Sequence, residues 1–320
     1  MWACDARRQA RPARLAYGSA ATVAYVAQLA LVYWCTALLK IGPEWTQQGT
    51  ALYYAFSLDQ LVWPLGRLLY PHAALLQALT FGAWCLELLA PFLLLLPVGV
   101  RGARLGFLGL TGGFHLAIGL TLFVGLFPLI GALAGVALVP AAALDWLERQ
   151  ARRWRPRGLL RLLARSRLAG SRPQPRRPAL SAGSRLLLRG VREAGVGALL
   201  CYVCWWNLDG IATTPRWLMR EPVRWLGYLF RVDQHWGMFA PTVFKDDGWY
   251  ILEGSTADGR LIDLNQGGRP AHYAKPAAVA SMFQNDRWRK YSENYLFIAN
   301  EWMRPYYCDY LLRQWRANPA

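Results

Sequence analysis

Apolar residues run without a charge from Tyr17 to Leu39, and the run stops at Lys40-Ile-Gly-Pro-Glu44-Trp45. That length spans a bilayer, which takes roughly 20 apolar residues. Four further apolar runs follow, at about 72–97, 105–126, 128–147 and 194–211. The second ends near Pro97, and the fourth begins on Pro128, a natural first-turn proline. The pattern predicts a mainly α protein: a polytopic transmembrane helical bundle of about five spans.

Between the first two spans, residues 41–71 read as a polar loop with short amphipathic pieces. Tyr53, Tyr54, Trp63 and Tyr70 fit a membrane–water interface there. Residues 212–320 change character. After a Trp-rich amphipathic stretch at 216–230, Trp249–Gly254 and Arg260–Leu264 alternate as strands do. Ala257-Asp258-Gly259 between them signals a hairpin turn. Ala277–Phe283, Asn285–Ala299 and Trp302–Trp315 then carry a helical period, with breaks expected near Asn285 and Pro305. The chain therefore divides into a basic N-terminus 1–16, a four-span bundle 17–148, a loop 149–193, a fifth span 194–211, and a small α+β domain 212–320.

Charge orients this plan. The net charge is +17. Residues 149–192 hold fourteen Arg and no Asp, Glu or Lys. Ser171–Pro178 is too rich in Pro and Arg to form a helix or strand. Leu159–Leu168 and Leu186–Val191 mix Leu with Arg, as segments lying on a membrane surface do, and a plain solvated loop fits them equally. Positive residues favour the cytoplasmic side. That puts the N-terminus, Arg101, Arg104 and 149–192 inside a cell (inner) membrane, and residues 41–71 and 212–320 on the exoplasmic side. The expected partners are the lipid bilayer and, at the Arg-rich loop, anionic headgroups. Nucleic acid is not expected, because the excess charge sits in one interhelical loop.

Six cysteines are scattered, and Cys201-x-x-Cys204 falls inside an apolar segment without a second ligand pair, so it reads as packing. There is no phosphate loop, zinc ligand set or Ser-His-Asp arrangement to support, and no inverted repeat of the kind transporters carry.

Three polar groups are expensive where they stand: Lys40 at the end of span one, Glu87 inside span two and His115 inside span three. Lys40 is either a snorkelling anchor or a desolvated amine available as a base. Glu87 is either a helix-packing polar group, in which case it can be protonated, or a functional group. His115 is either a neutral histidine bonded to a carbonyl or a functional group. Glu44 and Asp59 are exoplasmic carboxylates, and a pair between either of them and Lys40, the rival to the base reading, would hold the lysine charged.

Ala37-Leu-Leu-Lys40-Ile-Gly-Pro-Glu-Trp45, followed by Tyr53-Tyr54-Ala-Phe-Ser-Leu-Asp59-Gln60, resembles the core motif of the horizontally transferred transmembrane domain family. That family is related to vitamin K-dependent gamma-glutamyl carboxylase. Phe114-His115 with Leu122–Pro128 is similar to its next signature, and Asp233–Pro241 with Asp246-Asp247-Gly-Trp-Tyr to the tail of many bacterial members. The resemblance covers about residues 15–320. It implies a lyase-like membrane protein in which Lys40 is the catalytic base toward vitamin K hydroquinone or another quinol. His115 would be the second catalytic residue, with Glu44, Asp59 and Glu87 in support. It further implies that the chain is N-terminally truncated relative to the family. Residues 212–320 are too few for the propeptide-binding domain of the animal carboxylases. The implied activity is therefore quinol-linked chemistry rather than carboxylation of protein glutamates. The alternative is a non-catalytic membrane anchor that presents an exoplasmic interaction domain.

Overall fold

The computed structural model describes residues 19–97, 99–154, 181–212, 218–245, 247–296 and 300–317. The basic N-terminus 1–16 and the Arg-rich 155–180, with the expected surface segment Leu159–Leu168, lie outside the described residues. The protein is mainly helical, with one small sheet. Among the described residues, three helical segments are long and apolar enough to cross a membrane: Ala20–Leu39, Ala73–Leu95 and Val100–Thr121. A fourth is added if Phe127–Leu138 and Ala141–Gln150 count as one span, bent by 109° at the break between them. Most of each span is turned outward, and Leu75, Leu79, Leu110, Leu116 and Leu120 are all exposed. Exposed leucines like these on long apolar helices are compatible with a multi-pass membrane protein.

Prolines place the irregularities. The second span breaks at Ala90-Pro91 and resumes as the short turn Phe92–Leu95. The fourth breaks at Val139-Pro140, inside the expected 128–147 run. A proline there removes a helix hydrogen bond and crowds the turn before it. The expected fifth span lies within the helix Ala182–Ile211, which starts well before residue 194. Leu186–Val191, with Arg185, Arg189 and Arg192, make up its first half. This helix is not among the three apolar spans.

Two compact units divide the described chain, and neither is continuous in sequence. The first takes residues 1–39, 88–107 and 138–236; the second takes 40–87, 108–137 and 237–320. Within the first unit the helices Ala20–Leu39 and Ala182–Ile211 pack along each other. Gln28 donates to Gln234 Oε1 at 2.6 Å, and the Trp206 indole donates to the Gln234 carbonyl at 2.9 Å. The amphipathic stretch becomes the helix Glu221–Phe230. Arg224 pairs with the buried Asp209 at 3.2 Å, and the Tyr202 hydroxyl donates to the Val223 carbonyl at 2.9 Å.

In the second unit the loop 41–71 is largely helical: Pro43–Thr46, Ala51–Ser57 and Pro64–Leu69. Each of the first and last opens on a proline, which supplies the fixed φ that a first turn needs. Trp45, Phe56, Leu58, Leu61 and Leu76 form its core together with Leu122 and Val243. Leu61 and Trp63 exchange backbone bonds with Phe123 and Thr121, at 2.6 and 2.9 Å.

The hairpin forms where the pattern places it. Strands β1 (Glu253–Ser255) and β2 (Leu261–Asp263) pair antiparallel with Gly254 opposite Ile262, and Gly259 takes the left-handed φ of +83° that the turn requires. A third strand, β3 (Arg269–Pro270), adds to β2. The helices Asp286–Leu296 and Met303–Ala317 follow. Asn285 caps the first, its Oδ1 accepting from the amides of Arg287 and Trp288 at 3.0 and 3.2 Å. Pro305 does not break the second. It sits in the first turn, where its missing N–H has no carbonyl to lose. Ala277–Phe283 supplies only a 3-10 turn, Val279–Met282. Trp288, Tyr291, Tyr295, Tyr307 and Tyr310 pack as an aromatic core, with Tyr295 and Tyr307 stacked 4.9 Å apart. Burial pushes the Tyr295 phenol up to about 12.

Candidate functional site

Lys40 follows the last residue of the Ala20–Leu39 helix. Gly42 and Pro43 then redirect the chain, because Pro43 opens the next helix. The result is a buried amine, 4 % exposed. It does not snorkel. Its ammonium lies 4.3 Å over the Trp45 ring and is hydrogen-bonded to the Glu87 carboxylate, which is 3 % exposed. Trp45 is itself held, its indole donating to the Phe239 carbonyl at 2.9 Å. The amine therefore has an opposite charge on one side and an aromatic face on another, two arrangements that stabilise a desolvated cation.

The candidate Lys40 partners pair elsewhere. Glu44 is 2 % exposed, and its carboxylate binds Lys245 at 2.6 Å. Asp59 pairs with Lys275, and with Arg67 at 3.4 Å. The correction has a local cause. A spacing of four brings side chains together only along a continuous helix, and here the helix ends at Leu39 and a new one begins at Pro43. The Lys245 ammonium holds the Glu44 carboxyl below the usual carboxylate range, with the backbone amide adding to this. Lys245 and Lys275 are raised in turn by Glu44 and Asp59. The segment around Lys245 is also fixed by the backbone, since the Gly42 amide donates to the Pro241 carbonyl at 3.0 Å.

His115, within the apolar helix Val100–Thr121, is buried, at 4 % exposed. Its ring lies between Phe114 and Phe127, with centroids 5.5 and 5.3 Å away, and directly against Gly131. A methyl group at Gly131 would fall 2.2 Å from the imidazole, so only glycine admits the ring. The residues gathered at Lys40 are Glu87 and Trp45; those gathered at His115 are Phe114, Phe127 and Gly131.

Two participants were not legible. Trp45 as a cover over Lys40 left a trace in the sequence, an aromatic residue just beyond the Gly-Pro break. Lys245 as the partner of Glu44 left none, at two hundred residues' remove. Among the described residues no three His, Cys, Asp or Glu side chains gather as metal ligands would. Lys40 and Glu87 together form an amine–carboxyl pair between which a proton can move. Comparison with family models, with curated proteins and with solved structures finds no match to the chain.

Proposed function

We propose that the chain is an integral membrane protein of the carboxylase-related, horizontally transferred transmembrane kind, and that the Lys40–Glu87 pair is its proton-handling centre. The observation that carries this reading is the pair itself, an amine and a carboxyl both almost wholly buried and bonded to each other. Such a pair is no more stabilising than apolar residues of similar size, so stability alone does not account for it. With its proton on the carboxyl, the pair is neutral and offers a free amine. That amine takes the hydroxyl proton of a quinol and leaves the quinolate anion beside the ammonium. Glu87 thus replaces Glu44 and Asp59 as the group that sets the state of Lys40.

Arginine bias supports the orientation, with the N-terminus, 101–104 and 149–192 inside and 41–71 and 212–320 outside. The Glu44–Lys245 and Asp59–Lys275 pairs agree with placing the last two on one side. In this reading the membrane is the cell (inner) membrane, and anionic headgroups meet the Arg-rich loop.

The test is turnover of vitamin K hydroquinone, menaquinol and ubiquinol by the full chain in nanodiscs, followed as quinone formed under oxygen. Wild-type turnover that disappears in Lys40→Ala and in Glu87→Gln supports the proposal. Turnover unchanged in Lys40→Ala rejects it.

A second reading is favoured by one observation, the Trp45 ring closing over the amine. On it Lys40 is structural, and the bundle is a non-catalytic anchor for the C-terminal residues. Absence of quinol turnover, together with a stability loss in Lys40→Ala, selects this reading.

A further inference from the structure

We infer that the C-terminal part of the second unit carries a binding site for one neutral sugar ring, independent of the Lys40 centre. A cavity of about 200 Å³ opens there between the 3-10 turn at 279–282 and the two C-terminal helices. That volume admits a single six-membered ring and is below the range of larger ligands.

Its lining has two kinds of group. Phe283, Trp288 and Tyr310 supply aromatic surface, with the Trp288 and Tyr310 rings 5.4 Å apart and tilted by 31°. Asn265, Gln284 and Gln314 supply carboxamides. Among the described residues no Asp, Glu, Lys, Arg or His lines the cavity, although the chain as a whole is strongly charged. An anion or a cation would find no counter-charge.

The carboxamides are available. Asn265 accepts from the Tyr307 hydroxyl at 2.6 Å, which fixes its oxygen and leaves its amide protons directed elsewhere. Gln284 and Gln314 make no internal hydrogen bond among the described residues. Each offers both a donor and an acceptor. A sugar ring matches this set. Its axial C–H groups carry partial positive charge and stack on the electron-rich faces of aromatic rings. Its hydroxyls both donate and accept, and so pair with planar amides.

Free sugars and the headgroup of a glycolipid share this chemistry, so the experiment has two arms. The full chain is placed in nanodiscs of phosphatidylethanolamine and phosphatidic acid, which carry neither a sugar nor a quaternary ammonium. In one arm glucose, galactose, mannose and N-acetylglucosamine are titrated by saturation-transfer-difference NMR. In the other a monogalactosyl lipid is built into the disc. Slowed hydrogen exchange over 282–292 and 307–314 is read in both.

Saturable binding in the first arm assigns a soluble glycan, and protection in the second arm alone assigns a lipid headgroup. In either case Gln284→Ala and Gln314→Ala each weaken binding roughly fivefold, the worth of one net hydrogen bond. Both residues are exposed, so these variants fold. The inference is overturned if neither arm saturates, if the double glutamine variant binds as tightly as wild type, or if tetramethylammonium occupies the cavity and sugars do not.

Discussion

Lys40 hydrogen-bonds to Glu87, 47 positions away, while Glu44, the nearer acid in sequence, pairs with Lys245 instead. Two independent buried carboxylates are thereby neutralised by two lysines from different parts of the second unit.

The first consequence is a double-mutant cycle. Removing one partner strands a charge in an apolar setting. Lys40→Met or Glu87→Leu alone is expected to cost about 3–5 kcal/mol, and the two together to be roughly neutral. Thermal unfolding in detergent measures both. Additive losses in the double variant would mean that the two residues do not act as a pair.

The Glu44–Lys245 contact predicts an acid-sensitive clamp. The folded carboxyl is held below a free glutamate's 4.5. A depressed value stabilises the fold above the unfolded value, and that contribution disappears as the pH falls through the folded one. The protection factors of the amides over 237–245, taken relative to their intrinsic exchange rates, are therefore expected to fall below about pH 4.5 and stay constant above it. Glu44→Gln should give the low protection already at neutral pH and lose the acid step.

Gly131 and His115 predict a change of sign. Gly131→Ala drives a methyl into the imidazole and should cost about 1–3 kcal/mol as overpacking. In a His115→Ala background the clash is gone, and alanine is preferred to glycine within a helix by about 0.5–1 kcal/mol. The same substitution should then stabilise. A cost of equal size in both backgrounds would show that the ring is not what excludes the side chain.

Sidedness can be read by labelling variants that each hold a single cysteine. Gln48→Cys, Thr256→Cys and a variant that keeps Cys308 alone should react with an impermeant reagent on intact cells, and Ser181→Cys only after lysis. Labelling of Gln48→Cys and Thr256→Cys from opposite sides would contradict the contacts within the second unit.

Much of this architecture was legible because hydrophobic length and turn chemistry are local signals. The run ending at Leu39, the hairpin at Ala257-Asp258-Gly259 and the Asn285 cap all needed only neighbouring residues. The burial of Glu87 and His115 followed from their cost in lipid, whereas Lys40, at a helix end, stood open between an anchor and a buried amine. Pairing was not legible, because it depends on which helices meet. For Lys40 the sequence offered Glu44 and Asp59, and the break at Gly42-Pro43 turned Glu44 away. Residues 279–282 shortened to a 3-10 turn and β3 was missed for the same reason: both are too short for periodicity to register. Pro140 and Pro305 show the converse. The same residue breaks a span at one position and is tolerated in a first turn at another.

The chain's four lysines, Lys40, Lys245, Lys275 and Lys290, are each matched to a carboxylate. Only Lys40 is sealed; the others keep half or more of their side chains in contact with solvent. Acylating reagents should therefore modify three amines readily, and each modification would release an acid from its partner. At Lys245 and Lys275 that means setting loose the contacts that tie the C-terminal third of the chain to the 41–71 segment. Arginine, which such reagents spare, carries all the remaining positive charge, so a single chemical treatment could undo those ties and leave the Arg-rich loop as it was.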